Sequence, residues 1–349
     1  MKSSGAALLW LALAACGSPS GLGAYGDREK SPSALKTDVT PEAAAARAAL
    51  DSGDAIGACA ILEEVLARTP RDLGLACMLQ DAELAAGQEA PALRARYLGQ
   101  ARERDDGDAW VLVARLEGTT AEARSILDRA ARLDPANAWA HYGLAFVEAR
   151  SGFWGEAQGH LKRALELDPG HLAARRLEAA LLARDGKYEE ARTAYSAWLE
   201  ASKLDPRVDP AWRLAAQLDL ALVELESGHP RAARNHLAAL SDGVGQPGLA
   251  ARRLCLLAAS EQTLGRSSQA LEAARAAEAL APQSALPKVQ QALLHEQWLG
   301  DPAAAKAAWE RVIGEARTSG DLSDLIQSMR ARVVLERLGA TSDGAPGPR

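Results

Sequence analysis

The feature that most constrains this chain is a spacing. A glycine, an alanine five positions on and a proline twelve beyond that recur as Gly53, Ala58, Pro70; Gly118, Ala123, Pro135; Gly152, Ala157, Pro169; and Gly265, Ala270, Pro282. Four partial sets keep only the first two members: Gly87 with Ala92, Gly186 with Ala191, Gly228 with Ala233, and Gly300 with Ala305. Successive glycines stand 34 residues apart at three of the seven steps. A unit that short cannot bury an apolar face alone, so the chain is expected to stack its units and spread stability along the stack. Composition says what each unit is made of. Hydrophobic residues are 48% of the chain and aromatics 4%, so the apolar content is largely Ala and Leu, which favour helix over strand.

Each recurring residue has a mechanical reason. Glycine takes the left-handed conformation that ends a first helix and lets the chain reverse. Alanine at 58, 123, 157, 191 and 270 lets two helices cross closely, where a larger side chain would push them apart. Proline, as in Asp134-Pro135 and Asp168-Pro169, stops the second helix. Apolar positions keep helical period, so that Leu144 and Val147 on one helix face Leu161, Ala164 and Leu165 on the next. The stretch from Ala138-Trp139 through Gly152-Phe-Trp-Gly-Glu-Ala157 to Ala164-Leu-Glu-Leu-Asp-Pro169, with Gly186-Lys-Tyr-Glu-Glu-Ala191 after it, resembles the tetratricopeptide repeat. The resemblance covers about residues 39–313, with the second, sixth and eighth units divergent. It implies an all-α, right-handed superhelix of about eight helix-turn-helix repeats within residues 40–338. A last amphipathic helix at 322–338 is expected to cap the stack, and 339–349 to be a disordered tail.

Two irregularities stand out. Only 31 residues separate Gly87 from Gly118, with Asp105-Asp106-Gly107-Asp108 between them, so the third unit's first helix should be short. Forty-two residues separate Gly186 from Gly228, which implies extra turns around Asp205-Pro206 to Asp209-Pro210 and a place for a bend or hinge.

The amino-terminal stretch reads as an export signal. Lys2 precedes an apolar run from Ala6 to Ala15, too short at about 1.5 Å per helical residue to cross a ~30 Å hydrocarbon core. Leu13-Ala14-Ala15-Cys16-Gly17 resembles the bacterial lipoprotein processing box. That resemblance implies removal of residues 1–15, lipid on Cys16 and, from Gly17, an outer-membrane address facing the periplasm. An ordinary cleaved signal is the competing reading. Residues 16–39, rich in Gly, Ser and Pro, read as a flexible tether. Cys59 and Cys77 fall on adjoining predicted helices, where they either bridge or act as small buried hydrophobes. Cys255 stays single.

No catalytic constellation is evident. Gly243-Val-Gly-Gln-Pro-Gly248 fits a dinucleotide pattern but follows no strand, and Pro247 lacks an amide for phosphate, so it reads as a loop. The six histidines form no metal-ligand spacing and read as surface or groove residues. Asp105-Asp106-Gly107-Asp108 lacks the length and terminal Glu of a calcium loop and reads as a turn. Glu189-Glu190 suits a solvated helix start. No enzyme activity, cofactor, metal or small-molecule substrate is expected. The net charge of −6 gives no basic footprint for nucleic acid.

One stripe suggests binding. Trp139, Tyr142 and Phe146 lie on one helix, and in the tetratricopeptide family the matching positions line a concave groove. Arg150 on that helix, with Arg176 and Arg184 on the equivalent helix of the next unit, would flank them. The other reading packs them into the core, evenly weighted for Tyr142 and Phe146, with Trp139 favouring the groove. The asparagine of the family's carboxylate-gripping members is absent. The expected function is therefore a membrane-anchored scaffold for protein or peptide partners in the cell envelope, serving assembly of an envelope machine. A glycan or cell-wall binding module is the alternative.

Overall fold

The computed structural model describes residues 40–240, 247–282, 285–296 and 301–319, and among them the chain forms sixteen α-helices and no strand. They pair as eight antiparallel hairpins. The first five are α1 (Thr40–Asp51) with α2 (Ala55–Arg68), α3 (Leu73–Ala85) with α4 (Ala90–Arg104), α5 (Gly107–Ala114) with α6 (Thr120–Leu133), α7 (Ala138–Arg150) with α8 (Trp154–Leu167), and α9 (Leu172–Arg184) with α10 (Tyr188–Ser202). Then come α11 (Pro210–Glu226) with α12 (Pro230–Ala239), α13 (Pro247–Thr263) with α14 (Ser267–Leu280), and α15 (Ala285–Leu294) with α16 (Pro302–Ser319). The fold class is all-α, of the tetratricopeptide type. Residues 1–39, with the expected signal, Cys16 and tether, lie outside the described residues, as do 241–246, Gly300, the expected capping helix at 322–338 and the tail.

Two compact units divide the chain, one closing at Arg213 and one opening at Leu214, inside α11 and just past the sequence insertion. In the first unit a core cluster runs from Leu73 on α3 to Leu181 on α9, and a smaller one joins α1, α2 and α3. In the second unit Val289, Leu293, Trp309 and Val312 pack α15 on α16, while Ala258, Ala270, Ala274 and Leu294 join α13, α14 and α15. Trp309 donates its indole N–H to Glu296 at 3.1 Å, which satisfies the polar end of a buried ring.

The helices start and stop where side chains satisfy exposed backbone groups. Asp54, Asp72, Asp106, Thr119 and Asn137 each accept a backbone N–H of the first turn that follows, a contact worth about 1 kcal/mol. Asp134 and Asp168, each before a proline, close α6 and α8. The short first helix of the third unit is present: α5 has 8 residues, entered through Asp105 in the left-handed conformation (φ 43°) and capped by Asp106. Glu189 and Glu190 sit exposed in the first turn of α10.

The crossing alanines are buried as the packing argument requires. Ala58, Ala157, Ala191, Ala233, Ala270 and Ala305 are fully enclosed and Ala123 nearly so. Ala92 is a correction. It is exposed, and Leu93 holds the crossing position, because the turn after Gly87 is one residue longer than those after Gly53 or Gly152. Among the described residues Cys59, Cys77 and Cys255 form no disulfide with one another. Cys77 belongs to the main cluster of the first unit while Cys59 packs against the smaller one, so the two do not bridge.

Gly118 is a second correction. Gly152 (φ 81°) and Gly186 (φ 76°) turn their hairpins in the left-handed region, as do four of the other repeat glycines, but Gly118 does not. There the reversal is spread over residues 115–119, because α5 ends early. A methyl group on Gly118 would meet open space. Gly186→Ala should therefore cost about 1–2 kcal/mol, while Gly118→Ala should leave stability unchanged or raise it by a few tenths of a kcal/mol. Denaturant unfolding of the two variants, side by side, checks the contrast.

Candidate functional site

The six residues marked by the sequence separate into an inner layer and an outer rim. Trp139 and Tyr142 are only 3% and 4% exposed, so the solvent-facing reading favoured for Trp139 is corrected, and of the two readings open for Tyr142 the packed one is found. Their rings meet edge to face, with centroids 5.5 Å apart, and both lie against the imidazole of His171, at 3.9 and 5.1 Å. Phe146 is half-buried on the same cluster, 6.2 Å from Tyr142. Arg150 is exposed, with its guanidinium 5.8 Å from the Phe146 ring. Arg184, also exposed, covers the Trp154 ring at 3.9 Å. Arg176 lies within cation–π reach of both Trp198 (5.9 Å) and Trp212 (5.6 Å).

The segment that follows α10 reaches the same cluster. Within the first unit the first helices of successive hairpins touch in order, from α1 to α9, and the row curls until α1 meets the segment that follows α10. Arg47 of α1 donates to the carbonyl oxygens of Pro206 (3.2 Å) and Arg207 (3.3 Å) and to the Asp209 carboxylate (3.2 Å). Arg207 points inward and is 7% exposed. It grips Asp205 through Nε (3.0 Å) and a terminal nitrogen (2.7 Å), and its other terminal nitrogen lies 3.6 Å from Asp72. Val208 is buried beside it, and Trp212 packs against the cluster that holds Trp139 and Tyr142. Asp72 thus has two tasks. It caps α3 by accepting from Gly74 and Leu75, and it faces Arg207; burial pushes its carboxyl up, against the pull of that guanidinium. The 42-residue spacing revealed the insertion, but no sequence signal showed that Arg47, Asp72 and Arg207 would meet.

Of the surface and groove readings given to the histidines, His171 does not fit the first: it is a buried cap set against Trp139 and Tyr142. Its Nδ1 accepts from the Ala174 amide at 3.3 Å, and its Nε2 is enclosed without a hydrogen-bond partner. One repeat earlier the same position is Asn137, which caps α7 and donates to Asp108 at 2.7 Å. Burial first, and the charge of Arg207 second, push the His171 imidazole down to about 3. His141 and His160, across the α7–α8 hairpin, bring their Nδ1 atoms to 3.2 Å with rings stacked, and burial lowers both. Among the described residues no group of three or more His, Cys, Asp or Glu side chains is placed to hold a metal ion.

The neutral His171 ties stability to pH. In the unfolded chain its imidazole titrates near 6.5, so between there and about 3 the unfolded state binds a proton that the folded state refuses. The contribution is whole above pH 6.5 and is lost as pH falls toward 3, by up to about 1.4 kcal/mol per pH unit. His171→Asn, which keeps a capping side chain, should flatten this acid limb of the stability profile. Trp139→Ala should cost about 3–5 kcal/mol, as for a core tryptophan. Both outcomes are read from denaturant unfolding, the first between pH 4 and 7.

Comparison with known proteins agrees with the geometry. A family model described as Tetratricopeptide repeat matches residues 148–211, the hairpin turn of the fourth unit through the insertion. No curated protein matches the chain. Among solved structures, one of the APC/C hetero-tetramer Cut9-Hcn1 superposes with a TM-score of 0.60 at 16% identity, over 80% of this chain and 54% of that one. This chain therefore spans about half the length of that relative. PilW, a type IV pilus biogenesis factor, superposes at a TM-score of 0.47 and 15% identity, over 68% of this chain and 98% of that one. For Pseudomonas aeruginosa pilF the values are 0.42 and 19%, over 70% and 97%. Hairpins closed on buried alanines and the superposition on Cut9-Hcn1 give this chain a fold of the tetratricopeptide type, and residues 148–211 match that family's model.

Proposed function

We propose that this chain is a scaffold that holds other proteins. It is fixed to the envelope by lipid on Cys16, with its folded body facing the periplasm from the outer membrane, and it serves the assembly of an envelope machine. The observation that carries the binding role is the rim on the first helices of the fourth and fifth hairpins. Phe146, Arg150 and Arg184 are held there by a rigid repeat core, two of them exposed guanidiniums set over aromatic rings. Arginine and aromatic side chains of this kind carry much of the energy in protein interfaces. The short apolar run ending in Leu13-Ala14-Ala15-Cys16 supports the anchor. The glycan alternative drew on solvent-facing aromatics, and the burial of Trp139 and Tyr142 removes that support.

Affinity purification of the lipidated protein from its own membranes tests the reading. Specific protein partners should co-purify, and Arg150→Ala with Arg184→Ala should reduce their recovery at least tenfold with no change in melting behaviour. Recovery unaffected by the double variant would move the binding surface elsewhere. Cys16→Ser should release the body into the soluble fraction, and retention after a carbonate wash would overturn the anchor.

A further inference from the structure

We infer that residues 203–209 are a built-in occupant of a peptide site on the inner side of the first unit, and that the site's exchangeable ligand is an extended segment of the form Pro-Arg-x-Asp. The inference rests on the scaffold reading and names the chemistry of one of its partner sites. Three separate recognition elements define the site. Arg47 binds main-chain carbonyls at two successive residues and a carboxylate two positions after the arginine, contacts that any extended peptide with an acidic residue at that place can supply. Asp72 and Asp168 set a negative pocket for the guanidinium of Arg207. His171, which feels the charge of Arg207 and lies against the rings of Trp139 and Tyr142, stands beside the pocket, with its enclosed Nε2 left unpartnered.

The occupant is longer than its counterparts in the repeat. It spans 203–209 between α10 and α11, where the preceding junctions span only 134–137 and 168–171, and it consists of turns. Its internal ion pair, Arg207 with Asp205, travels with it, so release leaves no guanidinium without a counter-ion. A tethered occupant acts at an effective concentration in the millimolar range, so it excludes weak peptides and yields only to partners that bind better or engage a second surface. The exposed Arg150 and Arg184 offer such a surface on the same two hairpins.

The experiment uses the full chain and a synthetic peptide covering residues 203–212. Arg207→Ala removes the guanidinium that faces Asp72 and so weakens the occupant's hold, while Arg47 and Asp72 remain to receive the peptide. The peptide should raise the melting temperature of this variant and bind it at least tenfold more tightly than it binds the unaltered chain. Both effects should vanish when the peptide's arginine is alanine, or when Arg47→Ala or Asp72→Asn is added to the protein. If Arg207→Ala does not yield helical protein, Arg207→Gln, which keeps a long polar side chain without the charge, gives the same readout. Equal uptake of the arginine-free peptide, no shift in melting, or dimerisation of the chain by exchanged segments in place of peptide uptake would overturn the inference. Capture of envelope proteins can fail while peptide exchange succeeds, or the reverse, so this result is separate from the fate of the scaffold reading.

Discussion

The rest of the structure depends on the close approach of two helices at a buried alanine. Where Ala157 or Ala191 is fully enclosed, the helices of a hairpin interlock through their ridges and leave one apolar side uncovered. That side is satisfied only by the next hairpin, which forces stacking, and the constant size of the contact makes each step turn by a similar amount. The curl that brings α1 to the segment after α10 follows from this repetition. A contact spanning about 160 residues of sequence is thus reached through a series of local ones, without a large closure entropy at any single step.

The contact at the end of the curl is built from charge. Arg207 is nearly enclosed, and a guanidinium in such a place is tolerated only with close, hydrogen-bonded counter-charge. Asp205 supplies it locally and Asp72 supplies it from the far side of the row, while Arg47 satisfies carbonyls that a turn cannot pair within itself. Removing Asp72 or Arg207 leaves a buried charge short of one partner, whereas withdrawing the whole segment into water leaves the Arg207–Asp205 pair on it intact. That asymmetry favours all-or-none seating of residues 203–209, which suits an element that is either docked or displaced.

The fold was legible because its signals are backbone requirements repeated many times. Gly152 and Gly186 turn where turns were expected, and a crowded acidic stretch correctly marked a short α5. Where the pattern misled, the cause is a local change of length. One added residue after Gly87 exchanges Ala92 for Leu93 at the crossing, and the early end of α5 frees Gly118 from its left-handed role. A spacing rule carries no information about such a shift, since the same residues remain at the same separations.

The site was legible only in part, for a different reason. The stripe Trp139, Tyr142, Phe146 was placed on the right helix and its row of arginines on the right neighbours, because those positions follow from the repeat. Whether such a stripe is open depends on what else reaches it, and here Trp212, just past a lengthened turn, packs on the same cluster. His171 shows the same limit on the scale of one side chain. It caps its helix as Asn137 does, a role its residue type did not announce, and its place beside a charged pocket required Arg207 to arrive from a loop that the periodicity registers only as extra length. In a repeat protein the periodic residues build the surface, and the aperiodic ones decide how much of it a partner meets.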